Sequence, residues 1–332
     1  MTSIQRILKN NLGQQLCAFS LGLAGAVAMQ PIFSVQADAL SFPLQATSSV
    51  TVGNSTGDLH ASDSKTQQLP GRLSQAKSDK KTASTRHSAN PQPAPAMQIR
   101  VRIAHHPSQF EIATSTAATV STFNGSQEGT MQPMSRYVAQ VNTQGIQLGP
   151  MQLQNGVMID PGADGFVFVN GLWYRGRLSL VYADGELLAV NLIDLEQYLY
   201  SVVGSEMPAS WHPDALRAQA IAARSYALIH ISRPASTWFD LGNNERWQAY
   251  NGVESEANST YAAVSDTSAQ VLTYDGQILE ALYASTQAIT DEAHDGFGMS
   301  QYGAEELARQ GHNYQQILAN YYPGAMLARL RS

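Results

Sequence analysis

The chain has 332 residues, 43% apolar and 14% charged, enough for one large domain or two ordinary ones with a packed core. Its formal net charge of −6 argues against a nucleic-acid partner. The lone cysteine, Cys17, falls in the N-terminal segment, which leaves the rest without disulfides or thiolate metal sites.

The N-terminus reads as an export signal. Arg6 and Lys9 precede an apolar run from Leu16 to Met29, and Val35-Gln36-Ala37 offers small residues at the spacing signal peptidase favours. Residues 1–37 are assigned to this signal. The run is shorter than the ~20 residues of a spanning helix, so no stable membrane span is expected after cleavage; a retained anchor is the alternative. Residues 38–97 are polar, rich in Ser, Thr, Gln and Lys, and end in NPQPAPA. They read as a disordered linker.

From Gln98 to Asn191 the texture changes. Segments such as MQIRVRIA, GFVFVNG and ELLAVNLI are short, rich in Val, Ile and Phe, and punctuated by Gly, Asn and Asp. These are strand and hairpin signals, with Asp184-Gly185 as a two-residue turn. A short helix is expected over Leu195–Val203, ended by Gly204–Pro208. Pro213 and Asp214 then open a longer helix to about Ile231 that is apolar nearly all round, hence buried. Beyond it, Asn258–Thr267 reads as a helix and residues 270–286 as a hairpin turning at Asp275-Gly276. Helices follow at Ser300–Gln310 and Tyr314–Tyr321, with Gly311 as terminator. Strands lead and helices come later, so the fold class is α+β.

One carboxylate stands out. Glu206 lies between small residues and Met207-Pro208, directly before the apolar helix. Folded against that helix it would lose hydration, and a desolvated carboxyl holds its proton to higher pH. A protonated carboxyl beside an aromatic wall suits cleavage of a glycosidic bond. The plainer alternative is a helix cap or an ion-pair partner, with Arg217 or Arg224 supplying the cation.

The stretch YLYSVVGSEMPASWHPDALRAQAIAARSYAL resembles the central motif of the SpoIID/LytB family, named after a sporulation protein and an amidase enhancer. AAVSDTSAQVLTYDGQILEALYAST and GFGMSQYGAEELARQGHNYQQILANYYPG resemble later segments of the same family. The resemblance spans residues 98–332, with a strand-rich part at 98–191 and a motif-bearing part at 192–332. It implies a protein exported to the periplasm or cell wall that acts on peptidoglycan. Catalytic members are lytic transglycosylases that cleave MurNAc–GlcNAc bonds of strands stripped of stem peptides. Their acid corresponds to Glu206. It protonates the glycosidic oxygen and then accepts the proton of the sugar's C6 hydroxyl, which closes an anhydro ring.

Ser205, Gln219, Arg224, Tyr226, Ser300, Gln301 and Tyr302 are the candidate substrate-binding residues, each with a structural alternative: Gln219, Arg224 and Tyr226 as core ties, Ser300 as a helix cap. Trp211, Trp238, Trp247 and Tyr250 are candidates for stacking on sugar rings. If a second carboxylate activates water, Asp214, Asp240, Glu245, Glu280 and Asp295 are available. The chain departs from the family pattern at 285–299, where His294 and Asp295 replace the expected Gly and His and an insertion is missing. No cofactor or metal is expected, because the histidines are too scattered for a zinc signature. Two other readings stand beside the enzyme: a noncatalytic peptidoglycan-binding protein that recruits or stimulates an N-acetylmuramoyl-L-alanine amidase, and a structural partner in envelope assembly.

Overall fold

The computed structural model describes residues 42–43 and 96–331, except 107, 155, 245, 295 and 296. The expected export signal, Cys17 and almost all of the expected linker lie outside the described residues. Within the linker, Phe42–Pro43 forms a two-residue strand.

The first half is built of strands, as the alternation predicts. In chain order they are β1 (Gln98–His106), β2 (Gln109–Thr114), β3 (Ala118–Ser121), β4 (Gln127–Met131), β5 (Tyr137–Asn142) and β6 (Gly145–Leu148). There follow β7 (Met151–Leu153), β8 (Gly156–Asp160), β9 (Phe166–Val169), β10 (Leu172–Arg175), β11 (Arg177–Ala183) and β12 (Glu186–Asp194). A six-stranded sheet runs β10-β9-β2-β5-β6-β7. A seven-stranded sheet, completed by β13 (Leu241–Gly242), runs β13-β1-β12-β11-β8-β3-β4. Side chains alternate across a pleated strand, and Ile99, Val101 and Ile103 of β1 point inward with Phe110 and Ile112 of β2. One core joins the inner faces of both sheets to the helices. β12 is buried on both faces, because Phe239 covers Val181, Leu188 and Val190 on the outer side. The β11–β12 hairpin turns at Asp184 and Gly185, both at positive φ, as the sequence expects.

The second half carries the helices α1 (Leu195–Glu206), α2 (Pro213–Ser232), α3 (Asn258–Asp266), α4 (Gln287–His294), α5 (Gln301–Arg309) and α6 (Tyr314–Tyr321). Together with the strands they make an α+β fold. α2 starts at the expected Pro213, with His212 capping the N–H of Asp214. Leu216, Ala220, Ile221, Ala222, Ala223 and Ala227 are fully buried. Burying a leucine or isoleucine of this kind stabilises by about 1.5–3 kcal/mol. Its small neighbours let α1, α3, α5 and α6 pack closely around one central helix.

Three expectations are corrected. α1 does not stop at Val203 but continues through Gly204 and Ser205 to Glu206. Gly204 is a poor helix former, but packing requires it: a Cβ there would collide with the carbonyl of Ser255. Secondly, the hairpin is short. β14 (Gln270–Tyr274) turns at Asp275-Gly276 into β15 (Gln277–Ile278), and its other edge pairs with β18 (Met326–Arg329). Thirdly, residues 287–294 form α4, where only a shortened family segment was expected. Between them, β16 (Tyr283–Ala284) pairs in parallel with β17 (Met299–Ser300).

Candidate functional site

Glu206 is the last residue of α1. Met207 behind it is buried and caps the helix through its N–H to the Val203 carbonyl at 3.0 Å. The chain therefore turns sharply at the acid, and Trp211 and His212 lead straight into α2. A helix C-terminus is the negative end of the backbone dipole, an unusual place for an anion. The half-buried carboxyl has two donors. The Ala249 N–H donates to Oε1 at 2.7 Å, and the Gln301 side-chain amide to Oε2 at 3.3 Å. Burial pushes the Glu206 pKa above the ordinary carboxyl value, and these two hydrogen bonds pull it part of the way back.

The surrounding elements explain the motif glycines and serines. The turn Gly252–Ser255 lies against the end of α1. Gly252, at positive φ, fits under the Trp173 carbonyl, where a Cβ would collide. The Ser255 hydroxyl bonds those of Ser201 at 2.9 Å and Ser205 at 3.0 Å, and the Asn251 N–H donates to Ser205 Oγ. Ser205 thus fixes the turn beneath the acid. On the opposite side, Gly298 lets the chain pass close to the Leu282 backbone and Met299 is fully buried. Ser300 caps α5 by accepting the Gly303 N–H at 3.1 Å. The β16–β17 pair brings both Gln301 and Tyr283 near Glu206.

Behind the carboxyl lies a cluster centred on buried Gln248. Its oxygen accepts the Tyr198 hydroxyl at 3.1 Å, and its nitrogen donates to the Tyr283 hydroxyl at 2.8 Å and the Ala223 carbonyl at 3.2 Å. Burial first, and then neighbours that include the Glu206 charge, raises the pKa of Tyr198, Tyr226 and Tyr283. Their hydroxyls stay protonated at neutral pH. Sequence reasoning missed Tyr198, Gln248, Ala249 and Tyr283: Tyr198 and Tyr283 lie inside the family-like stretches but read there as ordinary helix and strand residues, and Gln248 and Ala249 lie in a loop without a motif.

The remaining candidates separate. Gln301 and Tyr226 join Glu206, whereas Ser205 and Ser300 hold backbone. Tyr302 is 61% exposed and stacks on Trp211 at 5.0 Å. Gln219 is fully buried, with neither amide atom hydrogen-bonded. It lies on the α2 stripe of Ala223 and Tyr226, one and two turns away. Arg224 is also fully buried. Its guanidinium pairs with Glu196 through two bonds of 2.7 Å and donates to the Gln270 carbonyl at 3.1 Å. Its donors are used in the core, and none of these bonds goes to Glu206. Arg217 pairs with Asp214 and Asp266, so neither arginine is the ion-pair partner of Glu206. Tyr250 is a core residue whose hydroxyl donates to Asn191 at 2.7 Å, not a stacking platform.

Among the possible second acids, Asp240 is held by Arg100 and Asp214 by Arg217, and Glu280 lies 3.8 Å from His230. Glu245 and Asp295 lie outside the described residues, as does the side chain of His294. No group of three or more acidic, His or Cys side chains suited to a metal occurs among the described residues. None of the described helices is long and apolar enough to cross a membrane.

Residues 183–274, which hold Glu206, Gln219, Arg224, Tyr226 and Ala249, match the family model for the stage II sporulation protein SpoIID. The stage II sporulation protein D of Bacillus subtilis is 32% identical over 115 residues, 30% of this chain and 33% of the relative. The amidase enhancer of the same organism is 37% identical over 95 residues, 29% of this chain and 12% of the relative. The chain carries a SpoIID/LytB family segment. A protein of Brachyspira hyodysenteriae is 34% identical over 139 residues, 41% of this chain and 38% of the relative. The matches thus span at most 38% of the length of these three relatives. The family-model match ends before Ser300–Tyr302, so Gln301 enters the site through geometry.

Proposed function

We propose that this chain is an exported peptidoglycan lytic transglycosylase in which Glu206 serves as acid and then as base. The observation that carries the reading is a half-buried carboxyl with raised pKa whose two oxygens each accept one hydrogen bond. Such a group keeps its proton closer to neutral pH, as protonation of a leaving-group oxygen requires.

In the proposed reaction the Glu206 proton passes to the oxygen joining MurNAc to GlcNAc as the MurNAc C1–O bond breaks. The C6 hydroxyl of the same MurNAc bonds to C1 and returns its proton to the Glu206 carboxylate. The products are a 1,6-anhydro end and a free GlcNAc hydroxyl, and the enzyme is restored. No water enters, so no second carboxylate is needed; a hydrolase would place one about 5–9.5 Å away. Among the described residues, burial and two hydrogen bonds shift Glu206, and no carboxylate does. The Tyr226 hydroxyl and the Gln301 amide are the side chains best placed to meet sugar hydroxyls beside it.

The relative called an amidase enhancer favours a second reading, a wall-binding partner that recruits an amidase without cutting strands itself. One experiment separates the two. The purified protein and its Glu206→Gln variant are incubated with amidase-treated glycan strands, and mass spectrometry looks for anhydro-MurNAc ends. Anhydro ends from the unmodified protein alone support the transglycosylase. Reducing ends indicate hydrolysis. Binding without products makes recruitment the function.

A further inference from the structure

We propose that a track of aromatic rings and guanidinium groups leads from the Glu206 loop across the outer face of the seven-stranded sheet and holds the glycan strand beyond the sugars at the cut. The inference rests on the reading that a glycan is the substrate. It begins at Ala249, whose N–H binds Glu206. Two residues earlier stands Trp247, with the Arg246 guanidinium 5.2 Å and the Arg102 guanidinium 5.7 Å from its ring centroid. Arg102 also lies 4.5 Å from the Phe239 ring, which meets Trp247 edge-on at 6.5 Å. The next residue, Trp238, faces Phe123 at 6.2 Å with 31° between the planes. Phe123 covers Gly156 of β8. From β1 to β8 the sheet order passes three strand intervals, about 14 Å, so the track is longer than one sugar ring.

Packing accounts for Phe239 and for Trp247, which rests on the core and on Gly242, but not for Trp238 and Phe123. Phe239 is buried over Val181, Leu188 and Val190. Trp238 and Phe123 are 37% and 51% exposed, and paired exposed aromatics of this kind mark contact surfaces. Their platform is held in place. The Asp240 carboxylate accepts the Arg100 N–H at 2.8 Å and its side chain at 2.7 Å and 3.0 Å. Arg100 also donates to the Thr237 carbonyl at 2.7 Å. A platform already ordered loses little entropy on binding.

Charge chooses the occupant. Arg246 is exposed and stacks on Trp247, and its guanidinium takes part in no ion pair or hydrogen bond among the described residues. Its field reaches the Tyr226 hydroxyl, as does that of Glu206, which ties this end of the track to the site. A glycan strand freed of its peptides offers apolar sugar faces to the rings and a lactyl carboxylate on every muramic residue to the cations. A protein or a membrane would not offer that alternation.

The test measures binding of long and short fluorescent peptide-free glycans to the full chain. The Trp238→Ala/Phe123→Ala variant is expected to lower the ratio of long-strand to short-strand affinity about ten-fold. Trp238→Phe is expected to keep most of it, and thermal unfolding confirms that each variant is folded. Arg246→Gln is expected to abolish the preference for free carboxylates over strands whose carboxylates are amidated. A folded double variant with an unchanged ratio overturns the track and leaves the proposed function standing. So does capture of anionic vesicles or of a second copy through the same aromatic pair. No glycan binding by the unmodified chain overturns both.

Discussion

Gln301 and Glu206 are 95 residues apart in sequence, yet the Gln301 amide donates to the Glu206 carboxylate at 3.3 Å. The contact exists because β16 and β17 pair in parallel and deliver α5 to the end of α1. Together with the Ala249 N–H, it opposes the burial that drives the carboxyl toward its neutral form. The carboxyl is held between the two, protonated more readily than an exposed glutamate, as the proposed acid and base role requires.

Glu206→Gln is expected to remove strand cleavage and to raise stability at neutral pH. The folded pKa of Glu206 lies above the unfolded value of about 4.3, so the folded state holds this proton longer. That contribution is whole below the unfolded value and is lost as pH rises through the folded one. Urea unfolding of both proteins at acid and neutral pH checks the sign. The variant should gain over the unmodified chain as pH rises, and a gap that widens toward acid would contradict it. Cleavage by the unmodified chain should fall on the alkaline side as Glu206 loses its proton.

Gln301→Leu tests Gln301 as a positioning residue. Losing this donor removes one of the two bonds that lower the Glu206 pKa. The alkaline limb of the kcat profile is expected to move to higher pH, and kcat at the optimum to fall about ten-fold, the cost of one misplaced charge-assisted bond. A purely structural role would lower activity uniformly and leave the limb in place, and the pH profile distinguishes the two.

The sequence made much of this legible. The strand alternation from Gln98, the turns at Asp184-Gly185 and Asp275-Gly276, and the start of α2 at Pro213 are local signals, and local physics decides them. Glu206 stands out through the resemblance of its stretch to the family motif, whereas its neighbours in sequence alone fit a helix cap or an ion-pair partner. What stayed hidden depends on contacts between distant segments. Gly204 looks like a helix end until the turn that approaches it is known. Gln248 and Tyr283 look like ordinary polar residues until the fold sets them behind Glu206. Arg224 looked equally suited to the groove and to the core, and only Glu196 across the α1–α2 contact decides between them.

Gly204→Ala is expected to destabilise the protein by about 1–3 kcal/mol, the usual cost of forcing extra volume into a packed site. Intrinsic helix propensity alone predicts the opposite, a gain of about 0.8–1.0 kcal/mol. The collision is with the backbone carbonyl of Ser255, which cannot rotate away as a side chain would. The turn must shift, and with it Asn251 and the Ala249 N–H that holds Glu206. Denaturant unfolding reads the stability, and cleavage should fall by more than the small loss of folded protein explains. An alanine variant of raised stability would show that the turn gives way freely.

Arg224→Met leaves Glu196 without its cation in a largely buried setting and is expected to cost about 3–5 kcal/mol. Glu196→Gln should cost less, because Glu196 keeps 17% of its side chain exposed whereas Arg224 keeps none. The Arg224 guanidinium also retains the carbonyls of Gln270 and Val264. The double variant removes both charges and should recover part of the loss, since two well-packed neutral side chains replace an ion pair at little net cost. Equilibrium unfolding of the four proteins closes the cycle. If Arg224 instead bound substrate, its replacement would weaken glycan binding at unchanged stability, an outcome its burial and its consumed donors argue against.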